Sequence, residues 1–117
     1  MESILVEKAQ RLNHYEIVYI LHADLREEQK LQEIEKYQTL LLEQGAQQII
    51  IQNLGRCRLS NPIKKHQDGI YVQMNFQAKS NLVATLERAM RLSDRVIRYL
   101  TLKQIQKPVE PSALPIT

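Results

Sequence analysis

Apolar and polar residues alternate along Ile70-Tyr71-Val72-Gln73-Met74-Asn75-Phe76-Gln77-Ala78. The period of two predicts a strand with Ile70, Val72, Met74, Phe76 and Ala78 on a dry face and Tyr71, Gln73, Asn75 and Gln77 on an open one. His14 to Leu21, rich in β-branched and aromatic residues, reads as an earlier strand, with Tyr15, Ile17, Tyr19 and Leu21 sharing the core side. After it the period changes to that of a helix. Leu31, Ile34, Tyr37 and Leu41 recur at helical spacing, Asp24 and Glu27 have the spacing of a capping box, and Gly45 supplies the stop. Gln47 to Leu54 forms a second strand that continues weakly to Leu59, with Gly55 as a bulge or bend. Ser80 or Asn81 caps a second helix carrying Leu82, Leu86, Ala89 and Met90 on one stripe, with Glu87 and Arg91 spaced to pair. Arg95 to Lys103 is the last strand.

The order strand, helix, strand, strand, helix, strand specifies an α+β split βαβ sandwich: a four-stranded antiparallel sheet with two helices on one face and the other face open. On the last strand, Val96, Arg98, Leu100 and Leu102 share parity, which predicts a mixed charged and apolar patch on the open face, suited to a protein partner. Residues 1–13 form an N-terminal extension, 14–103 the domain, and 104–117 a tail holding Pro108, Pro111 and Pro115 that stays outside the core.

Composition narrows the chemistry. At 117 residues the chain has room for one core. No apolar run approaches the length that spans a bilayer, and the N-terminal segment lacks the apolar centre of a secretion signal, so no membrane role is expected. The formal charge of +3 equals that of the stretch from Gly55 to Gly69, which holds Arg56, Arg58, Lys64 and Lys65 against Asp68. Such a concentration favours contact with a polyanion, and the planar forks of Arg56 and Arg58, two apart on one side of an extended segment, suit phosphate oxygens. His14, His22 and His66 are scattered, there is one cysteine, and no metal-ligand spacing occurs, so neither metal nor cofactor is expected. Cys57 lies between two arginines, but a strand directs them away from its sulfur, leaving an ordinary half-buried thiol. With Tyr71 the one aromatic expected on the third strand's open face, base stacking gives way to phosphate contact. Two other readings fit the architecture. An acyl-phosphate hydrolase needs an arginine-bearing anion cradle after the first strand, where this chain has His22-Ala23-Asp24. A regulatory dimer would pair through the exposed strand face.

The run from Leu54 to Tyr71, containing Pro62-Ile63-Lys64-Lys65-His66 and Gly69-Ile70-Tyr71, closely resembles the bacterial-type ribosomal protein S-six family, nearest to its cyanobacterial and plastid members. So do Tyr15 to Leu21 and the segment from Leu86 through Tyr99. Cys57 stands where that family usually has arginine, and Asn61 where an aromatic is common. The resemblance implies a ferredoxin-like fold and a non-catalytic constituent of the small ribosomal subunit, located on ribosomes of a plastid stroma or a bacterial cytoplasm. It further implies binding to the central domain of the small-subunit (16S-type) rRNA together with ribosomal protein S-eighteen. Family basic positions fall on Arg56, Arg58, Lys64, Lys65, Arg91 and Arg98. Arg56, Arg58, Lys64, Lys65 and Arg91 are then expected to face RNA, and Val96, Arg98, Leu100 and Leu102 the partner.

Overall fold

A computed structural model of the chain describes residues 12–63 and 66–104. The elements are β1 (Asn13–His22), α1 (Glu27–Glu43), β2 (Gln47–Ile63), β3 (His66–Ala78), α2 (Ser80–Leu92) and β4 (Val96–Gln104). The strands form one sheet in the order β2-β3-β1-β4, antiparallel throughout. The predicted order of elements and the ferredoxin-like sandwich are both present.

Alternation decides which side faces in. Ile17 pairs with Met74 and Tyr19 with Val72, and all four are fully buried beneath the helices. Leu82, Leu86 and Met90 of α2 and Tyr37 and Leu41 of α1 close the core over them. The Tyr19 and Tyr37 rings meet edge to face, with centroids 5.3 Å apart, a favoured aromatic geometry.

The first helix departs from the sequence reading at both its start and its face. It begins after Arg26, whose extended backbone N–H donates to Gln29 Oε1 at 3.0 Å. Ala23 and Asp24 are spent in a turn, so Asp24 does not cap. Leu31 remains exposed, and its expected place in the buried stripe is taken by Glu33, which is 4% exposed. The Glu33 carboxylate accepts from Tyr37 Oη at 2.7 Å and Ser93 Oγ at 2.9 Å, with Arg95 Nη1 3.8 Å away. A buried carboxylate is tolerated only with such partners. The helix ends as expected, with Gly45 at φ +85° and Ala46 N donating to Leu41 O.

Tyr19 differs from Tyr37. Its buried hydroxyl has no hydrogen-bond partner among the described residues. Burial, followed by the proximity of Tyr37 and Glu33, raises its pKa far above the ordinary tyrosine range. Removing an unsatisfied hydroxyl recovers its desolvation cost, so Tyr19→Phe is expected to raise the unfolding free energy by about 1 kcal/mol. Urea denaturation checks this; a destabilised variant would show that the hydroxyl is satisfied after all.

Two further expectations change. The second helix is preceded by Lys79, extended and without a side-chain cap, rather than capped by Ser80 or Asn81. Among the described residues Glu87 forms no close ion pair with Arg91; its Oε2 accepts from Thr101 Oγ1 at 2.7 Å, which ties α2 to β4.

Candidate nucleic-acid and partner interfaces

The basic stretch is not a loop between two short strands. β2 runs on to Ile63 and β3 starts at His66, making a long two-stranded ribbon in which Arg56 pairs with Ile70, Cys57 with Gly69 and Arg58 with Asp68. Gly55, at φ +86°, absorbs the register shift after Asn53, whose Oδ1 accepts from Gly55 N at 2.8 Å. Only a residue without a β-carbon adopts that backbone readily. Gly69 is needed for another reason: a β-carbon there would overlap Ile20 Cγ2. The glycines that punctuate the stretch therefore shape a continuous ribbon.

Arg56 and Arg58 lie on one side of the ribbon, as expected, but in different electrostatic states. Arg56 donates through Nη2 at 2.9 Å and Nε at 3.2 Å to a single oxygen, Oδ2 of Asp68. Arg58 is exposed and has no carboxylate within ion-pair distance among the described residues. Lys64 and Lys65 lie outside the described residues. His66, in the last pair of the ribbon, packs its ring edge to face on that of His22 at the end of β1, with centroids 4.1 Å apart. Arg91 is on α2, away from the ribbon, with Nη2 and Nε 3.3 and 3.4 Å from Tyr99 Oη.

The apolar patch on β4 forms with one correction. Arg98 pairs with Ile20 and Leu100 with Val18, and Leu100 and Leu102 are 59% and 49% exposed. Val96 does not join them. The register shifts between Ile20 and Leu21, so that Ile97 is a surplus residue and Val96, opposite Leu21, turns into the core at 6% exposure. One bulge inverts the parity upstream of it. The remaining patch borders a groove of about 320 Å³ lined by Val18, Ile20, Tyr71, Arg98, Tyr99 and Leu100. Elsewhere the open face is covered by side-chain hydrogen bonds, Gln73 to Glu16 at 3.0 Å and Gln77 to Gln48 at 2.7 Å.

Alternation alone did not reveal a second apolar cluster on this face, made of Ile20, Leu59 and Ile97 with Tyr71 packed against it. By parity Ile97 belongs with the core side, opposite Val96, Arg98, Leu100 and Leu102, and only the bulge in β4 brings it to Ile20. The charge outside the ribbon is also uneven. Residues 13–54 carry seven acids and three bases, while residues 70–104 carry six bases and two acids. The balance of the remaining chain thus conceals an acidic side around α1 and a basic side around α2 and β4.

Among the described residues no group of three or more His, Cys, Asp or Glu side chains is placed to hold a metal. No described helix is long and apolar enough to cross a membrane. The turn after β1 presents Asp24.

Comparison with known proteins agrees with this architecture. The family model described as ribosomal protein S6 matches residues 14–103. A small ribosomal subunit protein bS6 of Microcystis aeruginosa is 54% identical over 101 residues, covering 86% of this chain and 78% of the relative. The bS6 protein of Trichormus variabilis is 58% identical over 90 residues, covering 77% of this chain and 83% of its own. The crystal structure of 30S ribosomal protein S6 from Thermotoga maritima superposes with a TM-score of 0.75 at 22% identity, covering 80% of this chain and 89% of the other, and it supports the fold. With its βαββαβ sandwich, basic ribbon and cyanobacterial relatives, the chain belongs to the ribosomal protein S6 family of small-subunit, non-catalytic ribosomal proteins.

Proposed function

We propose that this chain binds the central domain of the small-subunit rRNA jointly with ribosomal protein S-eighteen, with residues 14–103 as the working domain. The observation that carries the reading is the separation of two surfaces on one rigid sheet. Arg58 stands exposed on the basic ribbon, whereas Arg98, Leu100 and Leu102 rim an apolar groove on the open face. Arg56, Arg58, Lys64 and Lys65 contact phosphate, and Arg91 adds a contact from the basic side of the molecule. Arg98, Leu100 and Leu102 receive the partner. A solvent-facing sheet surface that keeps two leucines about half exposed or more beside an arginine has the composition of an interface. Val96 is withdrawn from that surface by its burial.

The test is titration of a central-domain rRNA transcript with the protein, with and without purified S-eighteen, across a salt series. Each phosphate contact displaces counterions, so affinity should fall with a log–log slope of about −0.9 per contact on duplex RNA, taking the duplex DNA coefficient. S-eighteen should tighten binding. Salt-insensitive association, or none with the partner present, would sink the proposal. A double variant, Leu100→Asp with Leu102→Asp, places charge on exposed positions and should leave folding intact while abolishing the enhancement by S-eighteen. An unchanged enhancement would move the partner surface elsewhere. Self-association through this face, seen by sedimentation of the protein alone and lost in the same variant, would favour the regulatory dimer.

A further inference from the structure

Apolar side chains from opposite edges of the sheet reach the same place, one by alternation and one through a bulge. β2 pairs with β3 in register through Arg58 and Asp68, and the next pair is Ile63 with His66. Four residues of β2, numbers 59–62, therefore face one residue of β3, Gln67. Leu59 follows Arg58 and, with the parity of Gly55 opposite Tyr71, lies on the open face, where it packs at 6% exposure on Ile20. From the other edge, the bulge of β4 turns Ile97 onto the same cluster at 5% exposure. With Tyr71 of β3 packed alongside, all four strands meet at this one spot. Two of its members, Ile20 and Tyr71, also line the groove beside Arg98 and Leu100.

We infer that Leu59 is a positioning residue that seats the basic ribbon on the open face and thereby couples RNA binding to occupancy of the groove, an inference that rests on the function proposed above. Leu59 adjoins Arg58, the exposed arginine of the ribbon, and anchoring its side chain fixes the backbone that carries Arg58. A partner lying in the groove covers Ile20 and Tyr71 from one side while Leu59 covers that cluster from the other. Each contact excludes water from the groups the other packs against, so seating of the ribbon and docking of the partner favour one another. Because such a coupling is reciprocal, RNA must tighten the partner by the same factor that the partner tightens RNA. The lone contact between Arg56 and Asp68 cannot supply this link, since it lies within the ribbon and touches none of the groove residues.

The experiment measures the RNA affinity of the full chain with and without S-eighteen, for the wild type, Leu59→Ala, Leu59→Met and Ile97→Ala. Enhancement by the partner is expected to be about 30-fold for the wild type, within the usual range of coupling between sites. Leu59→Ala should reduce it to about 3-fold or less and flatten the salt slope by about one phosphate contact. Its direct affinity for S-eighteen should fall by no more than the coupling that is lost, since Ile20 and Tyr71 are no longer covered by Leu59 while the leucines that rim the groove are intact. Leu59→Met, which preserves apolar volume, should retain the wild-type enhancement. Ile97→Ala weakens the seat from the edge that carries no ribbon residue, and it should lower the enhancement too, which keeps the test decisive if Leu59→Ala fails to fold. Enhancement and slope unchanged in both alanine variants would overturn the inference. So would a loss of RNA affinity that leaves the enhancement intact, the mark of a merely structural residue. A wild type that binds RNA but is not enhanced also overturns it. A wild type that binds no RNA at any salt condemns the proposed function instead.

Discussion

Replacing Arg56, Arg58, Lys64 and Lys65 together with glutamine should lower affinity for central-domain rRNA by about a thousand-fold, at about 1 kcal/mol for each exposed contact with phosphate. The slope of log affinity against log salt should become shallower by about 3 to 4, because each lost contact leaves its counterions on the RNA. Folding should survive, since the described members of the set are exposed and the ribbon is held by its ladder and by Leu59. The single variants are not expected to be equal. Arg56 donates to Asp68 in the free protein and must exchange or share that acceptor on meeting phosphate, whereas Arg58 has no such bond to break. Arg58→Gln should therefore cost more affinity than Arg56→Gln. Asp68→Asn should strengthen binding by freeing Arg56 and removing a negative charge from the ribbon. Filter binding over a salt series measures all of these, and equal losses for the two arginines would mean that Asp68 does not hold Arg56 in solution.

Glu33→Ala should destabilise the fold by about 3 kcal/mol, since it strips hydrogen-bond partners from a buried tyrosine hydroxyl and a part-buried serine. The carboxylate receives Tyr37 and Ser93 and sits near Lys36 and Arg95, so one side chain ties α1 to the turn that leads into β4. Arg95 is partly exposed and can turn to water, which keeps the loss below that of stranding a fully buried charge. Glu33→Gln retains an acceptor and should lose about half as much. Urea denaturation with comparison of midpoint and slope measures both, and an alanine variant within about 1 kcal/mol of wild type would show that the network contributes little net stability. The same site sets an alkaline limit. Burial, and for Tyr37 the bond to Glu33, raises the pKa values of Tyr19 and Tyr37 above the ordinary 10.0. The folded state then holds protons that the unfolded chain releases. Stability from these groups is complete below the ordinary value and declines as pH rises beyond it.

How far the sequence can be read depends on whether a pattern is local. The strand at Ile70 to Ala78 was legible because burial of one face imposes a period of two, and the same period marks Tyr15, Ile17, Tyr19 and Leu21 as the core side of β1. Gly45 was legible as a helix stop because its backbone conformation is its own property. Glu33 was not, because a carboxylate in the buried stripe makes sense only once Ser93 and Arg95 arrive from a distant part of the chain. Asp24 does not cap, because the turn that carries it runs on to Arg26 before α1 begins. Among the candidate interface residues, Arg58, Arg91, Arg98, Leu100 and Leu102 are exposed where their pattern placed them, while Val96 is buried.

By itself, the sequence determined the order of elements, the core faces of β1 and β3, and the location of the excess charge, because each depends on periodicity or on composition within a short stretch. Its wording between Leu54 and Tyr71 also sufficed for the family. The tertiary structure alone decided that Arg56 is neutralised by Asp68, that Val96 turns inward, and that Leu59 meets Ile97 over Ile20. Each of these depends on register between strands, and register is settled by the packing of the whole sheet, where a single bulge reverses the face of every residue on one side of it.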